Sequence, residues 1–176
     1  ISEKYPSELA IKSNAHALAR YAALVQEAKM VPVVEPEVLM DGEHNINKCY
    51  EVTSKVLKEC YKQLSLHNVN LKGTILKPNM VLPGNRSKDK SNSVEIAKIT
   101  LKCLKENVPR EVPGIAFLSG GQTEIEATQN LNEINKINDT SFTLSFSYGR
   151  ALQQSALNNW SKNIKDTTNT QKIFNH

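Results

Sequence analysis

The chain has 176 residues, of which 39% are apolar and 23% are charged, as is ordinary for one globular domain with a real core. The net charge is only +4, and the 22 basic residues are interleaved with 18 acidic ones, which argues against a nucleic-acid partner. The sequence has no apolar run long enough to cross a bilayer and no signal-peptide pattern. We therefore expect a soluble, cytoplasmic protein that does not insert into membranes.

The predicted elements are one helix followed by alternating strands and helices. Pro6 suits the first turn of a helix that runs to about residue 29, and its apolar residues at helical spacing are Leu9, Ala10, Leu18, Ala22 and Val25. Short apolar runs between turn residues predict four strands, over residues 31–39, 73–84, 114–121 and 141–150. Helical spacing predicts the remaining helices over residues 46–66, 94–106 and 123–133, with a last one from residue 151.

One helix followed by four βα units predicts a parallel sheet with right-handed crossovers. Two architectures fit this order, an open doubly wound sheet and part of a (βα)₈ barrel. Four units are half of a barrel, and the chain begins with Ile1 on a helix that no strand precedes. We interpret residues 1–176 as a single-domain fragment of a longer polypeptide without an internal boundary, although a processed N-terminus would give the same first residue.

The three cysteines indicate a reduced, cytosolic compartment. Cys49 and Cys60 lie eleven residues apart on a predicted helix. At a rise of 1.5 Å per residue they are about 16 Å apart along the helix axis. A disulfide requires Cα atoms within about 7 Å, so this pair cannot be bridged, and Cys103 has no obvious partner.

The predicted strand GTILKPNMVLPG, residues 73–84, carries Lys77 in the middle of an apolar run. Removing an unpaired ammonium group from water is costly. Lys77 therefore either reaches solvent at a strand end, as most lysines do, or serves as an amine that attacks a carbonyl carbon. The lysine alone does not decide between these two readings.

An acid pair, Glu35 and Glu37, ends the preceding predicted strand in the sequence VVEPEV. Two residues apart on a strand, their side chains point the same way and lie about 6–7 Å apart. Two solvated acids at an exposed strand end would explain the pair. Neighbouring strands in sequential βαβ units usually lie side by side, however, so Lys77 is expected to face the acids across one strand spacing. This grouping places an amine and a proton carrier around one carbon, with a structural ion pair as the alternative.

Glycine-rich segments at the ends of the last two predicted strands suit a phosphate group. The candidate residues there are Ser119, Gly120, Gly121, Ser147, Gly149 and Arg150. Glycines let a phosphate approach main-chain N–H groups, the next helix directs its positive end there, and an arginine can bind phosphate in fork geometry. An SGG sequence alone is usually a tight turn, but the last two βα loops of a barrel often form a phosphate site.

Four segments of the chain are distinctive: VPVVEPEVLMDGEH, GTILKPNMVLPG, GIAFLSGGQTEIEAT and LSFSYGRALQQSAL. Together they resemble the class I fructose-bisphosphate aldolases. The resemblance extends from the first helix to about residue 160. It implies an α/β fold, a TIM (βα)₈ barrel of which this chain supplies about the last four βα units. It also implies a lyase of glycolysis and gluconeogenesis that reversibly cleaves fructose 1,6-bisphosphate into dihydroxyacetone phosphate and glyceraldehyde 3-phosphate.

The resemblance also implies roles for single residues. Lys77 matches the lysine that forms a Schiff base with the ketose carbonyl. Glu35 matches the general acid/base, and Glu37 matches the acid that helps to dehydrate the carbinolamine. Ser119, the two glycines that follow it, Ser147, Gly149 and Arg150 match the site of the ketose 1-phosphate.

The family resemblance further implies a cytosolic homotetramer that needs neither a metal nor another cofactor. The four histidines, His16, His44, His67 and His176, are dispersed along the sequence, which argues against a zinc-dependent aldolase. Binding to actin or another cytoskeletal partner is an expectation from the family alone. No segment of the sequence locates such a site.

The sequence departs from the family pattern because the residues of the first four strands and the C-terminal tail are not in it. We therefore expect activity in a full-length parent enzyme and an inactive fragment. Two alternatives remain open at this point. One is a non-catalytic half-barrel that acts as a binding or assembly module, and the other is a flavodoxin-like phosphate-binding domain with an open sheet.

Overall fold

The structure is a computed structural model that describes residues 1–175, so His176 lies outside the described residues. Within residues 1–175 there are six α-helices and four β-strands. The helices are α1 (Glu8–Glu27), α2 (Ile46–Leu66), α3 (Ser93–Asn107), α4 (Glu124–Lys136), α5 (Arg150–Lys162) and α6 (Thr167–Phe174). The strands are β1 (Val33–Val34), β2 (Ile75–Leu76), β3 (Gly114–Phe117) and β4 (Thr143–Phe146), and a short 3₁₀ turn, Leu71–Gly73, precedes β2.

The four strands form one parallel sheet in the order β1-β2-β3-β4. Each strand therefore pairs with the strand that follows it in the sequence. Consecutive helices from α1 to α5 also contact one another, so they form one layer against the sheet. A doubly wound sheet reverses its strand order and carries helices on both faces, whereas sequential order with one helix layer is the arrangement of barrel units.

The two faces of the sheet differ in burial. One row across the sheet, consisting of Val34, Leu76, Ile115 and Leu144, is buried in the core beneath the helices. The neighbouring row, which points to the other face, consists of Val33, Ile75, Gly114 and Thr143 and is partly or fully exposed. The helices thus cover only the apolar face of the sheet. The polar residues that follow the strands lie outside this covered face.

Polar caps explain where the helices begin. Ser7, Asn45 and Asn92 precede α1, α2 and α3, and each side chain accepts a hydrogen bond from the main-chain N–H three residues on, at 3.1, 2.9 and 3.0 Å. Such caps satisfy N–H groups that have no partner within the helix. The predicted range of α2 is confirmed at both ends, while α1 begins after Ser7 rather than at Pro6.

The buried face of α1 differs from the predicted one. The buried residues are Ile11, Ala15, Ala19 and Ala22, whereas Leu9 is 74% exposed. Of the predicted apolar face, only Ala22 is fully buried. α1 packs against α2, and the small alanine side chains leave the two backbones free to approach closely. The prediction was wrong because it weighted large apolar residues over alanine.

All three cysteines are free thiols with no exposed surface. Burial raises the pKa of the Cys60 thiol to about 12 and that of Cys103 to about 11, and it also raises the pKa of Cys49. Only the thiolate reacts readily with alkylating reagents, so these positions are chemically protected.

We expect iodoacetamide at pH 8 to label none of the three cysteines in the native protein and all of them in urea. Their folded pKa values exceed the unfolded value of about 8.5, so the stability they contribute is complete below that pH. It is lost as pH rises from there toward 11. Mass spectrometry of the labelled protein measures the labelling of the thiols. Urea unfolding at pH 8 and at pH 10 measures the loss of stability. Rapid native labelling would contradict the buried placement.

No helix within residues 1–175 combines the length and the apolar character needed to cross a membrane.

Candidate active site

Lys77 and Glu35 meet at the carboxyl ends of two adjacent strands. Val34 and Leu76 are register partners at the last paired position of β1 and β2, and Lys77 N–H donates to Val34 O at 2.7 Å. Glu35 and Lys77 are therefore the next residues on each strand and share the exposed face. Their side chains form an ion pair, with Lys77 Nζ 3.1 Å from Glu35 Oε1.

The register extends this pair into a row across the whole sheet. Leu76 pairs with Ile115, and Ala116 pairs with Ser145. Continuing the register by one residue places Glu35, Lys77, Ala116 and Ser145 side by side. The expectation that Lys77 lies one strand away from the acids is met for Glu35, since among residues 1–175 the ion pair of Lys77 is with that carboxylate.

The lysine and the glutamate differ in exposure. The Lys77 side chain is 20% exposed and that of Glu35 is 42% exposed. An ion pair that reaches solvent contributes about 0–1 kcal/mol to folding stability because water screens it. Stability alone therefore gives little reason for an amine and a carboxylate at this position, whereas proton exchange between them requires this proximity.

Glu37 lies on the same side of the chain as Glu35. From residue 35 to residue 38 burial alternates, with both glutamates exposed and Pro36 and Val38 buried. Both glutamates line a cavity of about 660 Å³ between this segment and α1. Glu37 also lines a second cavity, of about 650 Å³, on the side of β3. The two acids thus point the same way, as predicted, although paired strand ends before either of them.

Three of the predicted phosphate-binding residues line the second cavity together with Glu37, namely Gly120, Gly121 and Arg150. Ser119, Gly121 and Arg150 also share a smaller cavity of about 340 Å³. Ser147 and Gly149 line neither cavity and are exposed. The SGG turn follows β3 and Arg150 follows β4, and both therefore line the same two cavities.

The SGG turn has a conformation that requires glycine. Gly120 and Gly121 have φ values of 59° and 81°, in the left-handed region where a Cβ atom causes strain. Gln122 N–H donates to Ser119 O at 3.1 Å and closes the turn. Consecutive main-chain groups in such conformations can present their N–H donors to one anion.

The two helices that follow these turns begin differently. Thr123 caps α4 in a capping box with Glu126, and both Glu124 and Glu126 lie in the first turn. These groups satisfy N–H donors and add negative charge, so α4 suits an anion less well than its position suggests. Within residues 1–175, α5 is the one helix whose N-cap, Gly149, makes no side-chain capping bond, and Arg150 is its first residue.

Tyr148 anchors the segment that leads into α5. Its hydroxyl donates to Ala127 O, on α4, at 2.9 Å. Burial raises the pKa of Tyr148 to about 12, so the hydroxyl stays protonated and available as a donor. The contact fixes the residue between Ser147 and Gly149.

Buried and partly buried amides support the site, and sequence reasoning missed them. Gln122 Nε2 donates to Ser119 O at 2.7 Å, and Asn130 Nδ2 donates to Gln122 Oε1 at 2.7 Å. This relay, from Asn130 through Gln122 to Ser119, fixes the backbone of the SGG turn. Asn79, two residues after Lys77, is 2% exposed and hydrogen-bonds to the segment that carries the acids. A polar residue inside the apolar run of residues 75–82 was the available signal for Asn79.

Comparison with known proteins gives the family. The model of the fructose-bisphosphate aldolase class I family matches residues 1–176. The chain belongs to the class I fructose-bisphosphate aldolase family. A cytosolic fructose-bisphosphate aldolase 4 of Arabidopsis thaliana is 53% identical over 175 residues, which cover 99% of this chain and 44% of that protein. The fructose-bisphosphate aldolase of Dictyostelium discoideum is 47% identical over 176 residues, covering 100% of this chain and 49% of that protein.

A solved aldolase structure supports the fold. It is a co-crystal structure of fructose-bisphosphate aldolase from Plasmodium falciparum with TRAP and a small-molecule inhibitor. The TM-score is 0.91 at 43% sequence identity, and the match covers 96% of this chain and 49% of that one. The chain thus folds as four consecutive βα units of a TIM (βα)₈ barrel, which excludes the flavodoxin-like alternative. It spans about half the length of the curated relatives it matches.

Proposed function

We propose that this chain is the C-terminal half of a full-length class I aldolase that reversibly cleaves fructose 1,6-bisphosphate to dihydroxyacetone phosphate and glyceraldehyde 3-phosphate. The observation that carries the proposal is the 3.1 Å contact between Lys77 Nζ and Glu35 Oε1 at the carboxyl ends of adjacent strands. In a chain of this family, that contact puts a nucleophilic amine beside a proton carrier.

The proposed role of Lys77 is covalent. Its neutral amine attacks C2 of the ketose, a C–N bond forms, and the carbonyl oxygen takes up a proton to give a carbinolamine. Glu37 assists the loss of water, which leaves an iminium ion. Glu35 then accepts the proton of the C4 hydroxyl while the C3–C4 bond breaks, and C4 becomes the aldehyde carbon of glyceraldehyde 3-phosphate, which leaves. The electron pair of the broken bond moves into the iminium to form an enamine. Protonation at C3 and hydrolysis release dihydroxyacetone phosphate and regenerate the amine.

The proposed phosphate site is formed by Ser119, Gly120, Gly121, Ser147, Gly149 and Arg150. The left-handed SGG turn, the uncapped start of α5 and the guanidinium of Arg150 support it. Each supplies N–H donors toward an anion, and the guanidinium also supplies charge. Remote binding of this kind holds the ketose carbonyl over Lys77.

The remaining proposals concern the whole protein. Residues 1–176 form a single-domain unit, and the other four βα units of the barrel come from elsewhere in the polypeptide. Alone, the chain leaves the inner face of the sheet open and is expected to be inactive. Two relatives, from Arabidopsis thaliana and Spinacia oleracea, are named as cytosolic or cytoplasmic, which supports a cytoplasmic location. A homotetramer and a cytoskeletal partner are proposals from family resemblance alone.

The test is an assay of the protein from its source, after an intact-mass measurement. A mass near twice that of this chain and cleavage of fructose 1,6-bisphosphate support the aldolase. A polypeptide of this length that binds another chain and cleaves nothing would instead support the non-catalytic half-barrel.

We expect activity to survive dialysis against EDTA, because the proposed iminium accepts the electrons that a metal would otherwise stabilise. The cleavage rate is measured before and after dialysis, and a metalloenzyme treated in parallel is the control. A loss of activity that added Zn²⁺ restores would contradict the Schiff-base mechanism.

A further inference from the structure

Regular pairing between the two segments that carry the acids and Lys77 ends where each has a proline. Glu35 precedes Pro36, and Lys77 precedes Pro78. The β1–β2 ladder ends with Lys77 N–H donating to Val34 O at 2.7 Å. Residue 36 would supply the next donor toward β2, and proline has no N–H. Main-chain pairing therefore stops where the functional side chains begin.

The two segments are joined again further along. Asn85 N–H donates to Met40 O at 2.9 Å, and Arg86 N–H donates to Gly42 O at 3.0 Å. The backbones are so close here that a Cβ atom on Gly84 would lie 2.3 Å from Gly42 O. Both ends of the paired segments are thus fixed, and the stretch between them holds Glu37 and the residues that follow Lys77.

Asn79 links the segments within that stretch. Its Oδ1 accepts a hydrogen bond from Val38 N–H at 3.2 Å, one residue after Glu37. Its Nδ2 donates to Thr53 Oγ1, on α2, at 3.2 Å and to Met80 O at 3.0 Å. Asn79 and Thr53 are each 2% exposed, so the amide is buried with its acceptor and both donors used. A side-chain hydrogen bond thus joins the two segments beyond the point where Pro36 ends main-chain pairing.

We propose that Asn79 is a positioning residue that sets the distance between the acid-bearing segment and Lys77. The proposal rests on the proposed aldolase function, since it assigns Asn79 an effect on that reaction. Its side chain holds Val38 from one side and α2 from the other, so the backbone of Glu37 cannot move away from β2 without breaking a buried hydrogen bond. Proton transfer around a covalent intermediate depends on such spacing.

The test compares two buried asparagines in the full-length enzyme. Asn107 is a matched control because it is also buried, and its Nδ2 donates to Ser54 Oγ, on α2, at 3.1 Å and to Cys103 O at 2.7 Å. Asn79→Ala and Asn107→Ala should both lower the unfolding temperature, since each loses buried hydrogen bonds. Only Asn79→Ala should lower kcat, by about tenfold, with a much smaller change in KM. Equal effects of the two variants on kcat would overturn the proposal.

Thr53 provides a second set of variants if Asn79→Ala folds poorly. Thr53→Val removes the acceptor of Asn79 Nδ2, whereas Thr53→Ser keeps it. We expect Thr53→Val to lower kcat and Thr53→Ser to keep kcat near the wild-type value. Adding Thr53→Val to Asn79→Ala should lower kcat no further, because Thr53 acts through Asn79. Additive losses would contradict this relay.

Hydrogen exchange separates the positioning role from the proposed reaction. The Val38 amide should exchange faster in Asn79→Ala than in the wild type and remain unchanged in Asn107→Ala. A wild-type protein that cleaves no ketose phosphate would contradict the aldolase proposal. The exchange rate of the Val38 amide would still show whether Asn79 holds the Val38 segment. Unchanged exchange in Asn79→Ala would overturn the positioning role.

Discussion

Replacing Lys77 by arginine in the full-length enzyme is expected to abolish the cleavage of fructose 1,6-bisphosphate. The guanidinium keeps the positive charge and could keep the ion pair with Glu35, but it does not lose its proton at working pH. An iminium cannot form without a neutral amine. Borohydride reduction with the ketose present should leave a three-carbon or six-carbon adduct on Lys77 of the wild type and none on the variant, as measured by peptide mass spectrometry.

Lys72 offers a matched control for that substitution. It is an exposed lysine in the turn before β2, five residues from Lys77. Lys72→Arg should retain wild-type activity and be trapped by borohydride on Lys77 as usual. A stable adduct on another lysine, or a Lys77→Arg enzyme that still turns over, would show that the proposed nucleophile is wrong.

Replacing Arg150 by alanine should raise KM for fructose 1,6-bisphosphate by about tenfold to a hundredfold, because a charge-assisted hydrogen bond contributes about 1.5–3 kcal/mol. Some loss of kcat should accompany it, since binding of the remote phosphate helps to place the carbonyl. A ketose that lacks the 1-phosphate should lose much less, because it has no group for the guanidinium to bind. Steady-state kinetics with both substrates measure the difference.

Lys162, the last residue of α5, is the control for a lost charge on the same helix. Lys162→Ala should leave KM unchanged for both substrates. Equal losses on the two substrates in Arg150→Ala would mean that the arginine has a structural role, and the proposed phosphate site would then be wrong.

The sequence predicted the order of elements well and the extent of the strands poorly. The range of α2 followed directly from apolar residues at helical spacing, and in the structure Asn45 caps its first turn. The strands β1 and β2, expected over residues 31–39 and 73–84, pair over only two residues each. Apolar composition predicts burial rather than pairing, and Pro36, which has no N–H to donate, ends the pairing of β1 with β2 early.

The meeting of Lys77 with Glu35 was predictable because it depends only on topology. Sequential βα units place successive strands side by side, and both residues end their strands. The relay from Asn130 through Gln122 to Ser119 was not predictable. Buried amides satisfy specific partners in three dimensions, and no spacing in a single sequence encodes which partner an amide will find.

The row of Glu35, Lys77, Ala116 and Ser145 differs from one end to the other in the charge and size of its side chains. Charged side chains occupy its β1 and β2 half, and small ones occupy its β3 and β4 half. A linear ketose with its reacting carbon at Lys77 would meet the Glu35 carboxylate on one side and small side chains on the other, about 5 Å per strand away. For the proposed substrate, the C4 hydroxyl would then lie on the side of Glu35 and the short C1 arm on the side of β4, where Arg150 follows. Strand order would thus distinguish the two ends of a nearly symmetric molecule.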